Sequence, residues 1–258
     1  MKMEWSKTIK SGLLFGINPR NWLPYLLLDS FCIAAIFVVM FYNITNLVVA
    51  LGSESPEMVF QYLWPAGIVF ILWILLRMWV DGAIIHQSFK PKEFVKSWKY
   101  AFKKLPSLLV ATIIIIILTL LVGMVPYVGW LIGIFVSILL FFPFQVIIGK
   151  KKGFYEGLKE SYDIFRKHWA YVIGVYLILT LMIIVILLVF SLPMLILAFS
   201  VLTSESASVS LLILVKEQMS LIIIAGIILL LGLAISRAFS LKAQTEFYLK
   251  FTKKFKLF

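Results

Sequence analysis

Apolar positions come in six long, almost unbroken runs, at about 22–50, 58–86, 105–124, 130–149, 169–200 and 219–241. About 20 consecutive apolar residues are needed for an α-helix to cross a bilayer. The pattern therefore predicts an all-α integral membrane protein of six transmembrane helices, forming one domain over residues 1–258. Runs one, two and five exceed the minimum, which leaves room for tilt, protrusion or a break. Pro65, Pro143 and Pro193 fall inside runs two, four and five. A neighbouring helix can re-satisfy the carbonyl that each proline frees.

The segments that interrupt these runs have a pattern of their own. In "GFYEGLKESYDIFRKHW", Phe154, Leu158, Tyr162, Phe165 and Trp169 recur at spacings of four, four, three and four. That is one face of a helix, and Glu156, Lys159, Glu160, Asp163, Arg166 and Lys167 fill the rest. Such a segment is expected to lie along the membrane interface. Before run three, Phe94, Trp98, Phe102 and Leu105 share a face opposite Lys92, Lys96, Lys99 and Lys103, and "FKKLPSLL" aligns with "FRKHWAYV" at an offset of about 63 residues. Before run one, Trp5, Ile9 and Leu13 repeat the device, ahead of a break at Asn18-Pro19 and Trp22 at the membrane entry. Interfacial helices are thus expected at about 3–17, 92–104 and 153–168, and the chain reads as a pseudo-threefold repeat of interfacial helix, span, outer turn, span. "GMVPYVGW" (123–130) should be a tight outer turn, whereas the connection after run five holds an apolar patch at 208–215, too short to span and expected to cap the outside.

Composition strengthens this picture. Hydrophobic residues make up 62% of the chain, charged residues 14%, and mean hydropathy is +1.05. A soluble domain carries about 25% charged residues. Lysine and arginine counts in the successive segments around the runs are 4, 0, 6, 0, 6, 1 and 5. By the positive-inside rule both termini face the cytoplasm, in a cell membrane crossed six times. The net charge of +12 then sits beside apolar spans, where anionic headgroups are the expected partner and nucleic acid is not. Amides are scarce and Ile and Lys abundant, a bias found in thermophile proteins that membrane embedding would also produce. No apolar core with a small-residue cleavage site occurs in the first 21 residues, so no cleaved signal peptide is expected.

Candidate chemistry is thin. GxSxG, HExxH and GxxxxGK[ST] are absent. The two histidines, His86 and His168, are 82 residues apart and Cys32 is the lone cysteine. No metal, cofactor or catalytic residue is assigned on this basis. GxxxG occurs at Gly12/Gly16, Gly129/Gly133 and Gly153/Gly157, and only Gly129/Gly133 borders a span, where helix packing is expected.

Charges inside the runs carry the remaining information, since burying them in lipid is costly. Asp29 lies seven residues past Trp22, about 10 Å deep at 1.5 Å per residue. Arg77 and Asp81 are one turn apart on run two, and Arg237 lies near the end of run six. All four belong to the cytoplasmic half, and Gln145, just after Pro143, can reach the same level. Asp29, Arg77, Asp81, Arg237 and Gln145 form the candidate polar cluster. It reads either as a headgroup or solute site opening to the cytoplasm, or as a structural ion-pair cluster. Asp29 is expected to pair with Arg77 or Arg237. If Asp81 takes Arg77, Arg237 is left for Asp29.

The Asn-Pro ahead of "LPYLLL", "DGAII", "PYVGW" and "LKESYDIFRKHW" together resemble a set of archaeal and bacterial six-helix membrane proteins related to the membrane domain fused to some glycerophosphodiester phosphodiesterases. The resemblance covers nearly the whole chain and implies the six-helix architecture. It brings no catalytic residues, and no soluble phosphodiesterase domain is present. The expected function is that of a non-enzymatic membrane protein that binds or moves a solute or lipid, or scaffolds membrane components. A channel or secondary transporter is the first alternative and an intramembrane lipid-modifying enzyme the second. Self-association as a homo-oligomer is left open.

Overall fold

The computed structural model describes residues 5–52, 56–203 and 218–253. The patch at 208–215 lies outside them. The helices are α1 (Trp5–Ile17), α2 (Pro19–Gly52), α3 (Pro56–Phe89), α4 (Phe94–Gly123), α5 (Gly129–Leu139), α6 (Pro143–Gly149), α7 (Phe154–Thr203) and α8 (Met219–Lys253). No strand occurs among the described residues. Six stretches are long and apolar enough to cross a membrane: Pro19–Ile44, Val59–Phe89, Phe94–Gly123, Gly129–Gly149, Phe154–Ser200 and Met219–Thr252. Without water in the bilayer core, each backbone polar group must be satisfied within its own helix, which is why every run takes this form.

The three segments expected to precede hairpins behave differently from one another. The first is a separate helix, α1, closed off at Asn18, whose side chain accepts from the Arg20 N–H at 3.1 Å. The second runs without a break into its span, since Pro106 sits inside α4. The third also continues into its span, but α7 leaves helical geometry at His168 (φ −135°, ψ 31°). Within it, Gly157, Ser161 and Ile164 are buried while Phe154, Tyr162 and Trp169 remain exposed. The face of α7 that packs on protein therefore carries Gly157, Ser161 and Ile164, with Phe165 turned onto Phe135 at 5.8 Å, while Phe154, Tyr162 and Trp169 point away.

Run four is split. Helix α5 ends at Leu139 and α6 starts with Pro143 at its first turn, where the missing N–H costs nothing. The gap is bridged from α7: Ser161 Oγ accepts from the Phe142 N–H at 3.0 Å and donates to the Leu139 carbonyl at 3.2 Å. The last run continues well past 241. Helix α8 carries Leu241, Ala243, Phe247, Tyr248 and Phe251 into the core, and the basic tail anticipated from 242 is largely a packed helix.

The core lies at the Lys/Arg-rich end. Buried residues of α3 cluster from Met78 to Ser88, and most of those of α8 lie from Ala234 onwards. One cluster centres on Tyr25, Ile84, Leu108, Ile147 and Ala238. A second centres on Phe142, Val146, Val172, Phe239 and Phe247. At the other end Phe37, Phe41, Phe60, Ile184, Leu195 and Ile223 are exposed. Helix α1 seats on α8 through Gly12 and Gly16. A Cβ at Gly16 would lie 3.0 Å from Phe239 Cβ and 3.1 Å from the Ile235 carbonyl. This GxxxG pair lets two backbones approach closely. The pair expected to do so, Gly129/Gly133, does so at one residue only: a Cβ at Gly129 would lie 2.6 Å from the Val122 carbonyl in the last turn of α4, whereas one at Gly133 meets nothing within 4 Å.

Candidate functional site

Three helices meet at a ladder of paired charges. Tyr25 and Asp29 are one turn apart on α2, and Trp73, Arg77 and Asp81 follow at spacing four on α3. Equal spacing puts each set on one face, so the two faces meet rung by rung. Asp29 is buried and accepts from Trp73 Nε1 at 2.7 Å and from Arg77 Nη1 at 3.0 Å. Arg77 also lies over the Trp73 ring, 5.6 Å from its centre, a cation–π contact that fixes the guanidinium.

One turn further along α3, Asp81 accepts from the Tyr25 hydroxyl at 2.8 Å. Arg237 of α8 approaches it with both edges of the fork, Nε at 3.1 Å from Oδ1 and Nη2 at 2.5 Å from Oδ2. Bidentate charge-assisted pairs of this kind are the stronger ones. Each carboxylate thus has one aromatic donor and one guanidinium. Asp29 is matched to Arg77 and Asp81 to Arg237. The alternative in which Asp81 takes its own helical neighbour Arg77 is not the one adopted.

Gln145 belongs elsewhere. It is buried, but its Nε2 donates to Gln244 Oε1 at 2.9 Å, seven residues beyond Arg237 and so about 10 Å along α8. The structure joins Asp29, Arg77, Asp81 and Arg237 into one ladder and puts Gln145 in a separate layer between α6 and α8. The cavity that touches Asp81 holds about 10 Å³ between Met78, Gly82, Ile85, Leu108 and Phe144. That is room for about one water, not for a substrate.

Sequence reasoning left out Tyr25 and Trp73, although both were flagged by position, four residues ahead of an in-membrane charge. It also left out two anchors beyond the ladder. Glu160 of α7 receives Lys150, Lys152 at 3.3 Å and the Tyr248 hydroxyl at 3.4 Å. Glu246 of α8 receives Ser11 Oγ at 2.5 Å and Lys242 at 3.1 Å.

The two histidines stay apart in role. His86 is buried, its Nδ1 2.9 Å from Ser97 Oγ, and His168 stacks on Phe251 with ring centres 5.5 Å apart. Among the described residues no three His, Cys, Asp or Glu side chains converge as metal ligands. Protein-family models, curated proteins and solved structures yield no match to this chain.

Proposed function

We propose that this is a non-enzymatic six-span membrane protein that binds anionic lipid at the cytoplasmic face and scaffolds components there, with the charge ladder as a structural lock. The observation that carries this reading is that both in-membrane carboxylates are paired with a guanidinium, and the cavity touching Asp81 holds only about 10 Å³. A transport site needs a chamber and at least one group free to exchange partners. Cytoplasmic termini are supported by the lysine alternation and by the core lying at the lysine-rich end. Interfacial placement of the amphipathic segments is supported by Phe154, Tyr162 and Trp169 of α7, which are exposed. The pseudo-threefold arrangement, and kinship with the phosphodiesterase-linked membrane domain, rest on the sequence motifs alone.

The test is lipid analysis of protein extracted in mild detergent from membranes of known composition. Anionic lipid should be enriched in the co-purified fraction over its share of the bulk membrane. Co-purified lipid that mirrors the bulk membrane overturns the lipid-binding reading.

A further inference from the structure

A basic cleft lies between the end of α3, the start of α4 and the loop after α6, with a volume of about 270 Å³. Lys90 comes from α3's end, Lys96, Lys99 and Lys103 from one stripe of α4, and Lys151 from the loop. Five ammonium groups thus face a single carboxylate, Glu93, whose ion pair is with Lys90 at 3.5 Å. Lys96, Lys99, Lys103 and Lys151 have no ion pair to any described residue. Like charges at spacings of three and four on one helix face repel. The cleft around Lys150, Lys152, Lys159 and Lys167 differs, because Glu156, Glu160 and Asp163 set three carboxylates against its four lysines.

The cleft also has a built floor. His86 lines it and is buried. Ser97 Oγ donates its one proton to the Glu93 carbonyl at 2.7 Å, so at the 2.9 Å contact it accepts from His86 Nδ1. That fixes the ring through Nδ1; Nε2 of the neutral ring then carries a lone pair, so His86 shapes the floor and contact with an anion falls to the lysines. The Tyr100 ring packs on His86 at 4.6 Å, held by its hydroxyl's bond to the Ile148 carbonyl at 3.1 Å. The loop wall is fixed as well. Lys104 Nζ donates to the carbonyls of Lys151 and Lys152, at 2.8 and 3.1 Å. Lys151 takes a left-handed φ of 58°, uncommon for a non-glycine residue. Converging, unpaired cations on a rigid polar floor are the features of an anion site rather than of a solvated surface.

We infer that this cleft binds a phosphate group, the chemistry shared by a phospholipid headgroup and a soluble phosphate compound. The inference rests on the lipid-binding reading only for the first of these sources. The experiment uses the full chain in nanodiscs, as wild type, as Lys96→Gln/Lys99→Gln/Lys103→Gln, and as a charge-matched control, Lys10→Gln/Arg20→Gln/Lys159→Gln. All the substituted side chains are exposed or at the surface. Melting in phosphatidylcholine alone, without phosphate, checks that each variant is folded, and the single Lys99→Gln protein serves if the triple variant is not.

In one arm inorganic phosphate is titrated into phosphatidylcholine discs and the melting temperature is followed. In the other, native mass spectrometry counts phosphatidylglycerol retained from mixed discs. Affinity should fall about fivefold for each cleft lysine removed, and the control should keep wild-type affinity. A response confined to the first arm identifies a soluble phosphate, and one confined to the second identifies the headgroup. Equal behaviour of wild type and cleft variant in both arms overturns the site. If both arms are equal and both proteins still retain anionic lipid above its share of the disc, the cleft fails while the broader lipid-binding reading stands.

Discussion

Replacing Arg237 with glutamine removes two charge-assisted hydrogen bonds from a carboxylate that is itself buried. Breaking a buried pair from one side costs about 3–5 kcal/mol, because the remaining charge is left without compensation. Asp81 keeps the bond from Tyr25, which favours the lower end of the range, about 3 kcal/mol. At roughly 2–4 °C per kcal/mol for a chain of this size, the melting temperature should fall by roughly 6–12 °C. Asp81→Asn should cost less, since Arg237 is one-third exposed and its long stem can carry the charge towards the interface. The double variant places two neutral amides face to face and should recover about 1–2 kcal/mol relative to the sum of the single losses. Thermal melts of the four proteins in one detergent complete the cycle. Losses that add to within about 0.5 kcal/mol would refute the coupling and with it the structural role of the ladder.

Gly16→Val should destabilise by about 1–3 kcal/mol, because its added carbon meets Phe239 and the Ile235 carbonyl of α8, while Gly133→Val, in open space, should leave the melting temperature near wild type. Ser161→Ala strands the buried N–H of Phe142 and should cost about 1–3 kcal/mol, seen as a lowered melting temperature. For topology, single cysteines introduced as Ser55→Cys and Lys99→Cys into a Cys32→Ser background should label from outside and only after lysis, respectively. Labelling of the Lys99→Cys protein by an impermeant reagent in sealed cells would reverse the orientation. Ser97 is unsuited to that assay, being fully buried.

The six helices were legible because lipid leaves a spanning segment no other backbone solution, so run length alone reports them. The presence of a polar cluster was legible for a similar reason, as a charge in an apolar run has few tolerable places. Its pairing was not. Spacing of four along α3 makes Arg77 and Asp81 look like partners, but sequence says nothing about the rotation of α2 and α8 against α3, and that rotation decides the pairs. Gln145 shows a second gap, in depth: it was expected level with the ladder, but run four is split at Pro143 and Gln145 meets Gln244, seven residues beyond Arg237 on α8. The α1–α8 contact was hidden differently. Counting lysines after 241 marked a tail, while Phe239, Ala243, Phe247 and Phe251, at spacing four, carried a helical stripe across the same residues.

Helix α3 connects the ladder to the basic cleft. Trp73, Arg77 and Asp81 set its rotation against α2 and α8, and His86 follows five residues after Asp81 on the same helix, with Lys90 one residue past its end. At the other end of the molecule the helices expose apolar side chains to a solvent that prefers no rotation over another, because lipid is as apolar as leucine. The directional bonds that specify one arrangement are concentrated at the lysine-rich end, where a buried polar group is costly unless its partner is in place. If the ladder sets the cleft, releasing α3 should disturb the floor before it unfolds the protein. Arg237→Gln, assayed in phosphatidylcholine discs below its melting temperature, should then bind inorganic phosphate or retain phosphatidylglycerol more weakly than wild type, although Arg237 does not line the cleft. Unchanged affinity in a destabilised Arg237→Gln protein would show that the two ends of α3 are set independently, with the cleft held by Ser97, Tyr100 and Lys104 alone.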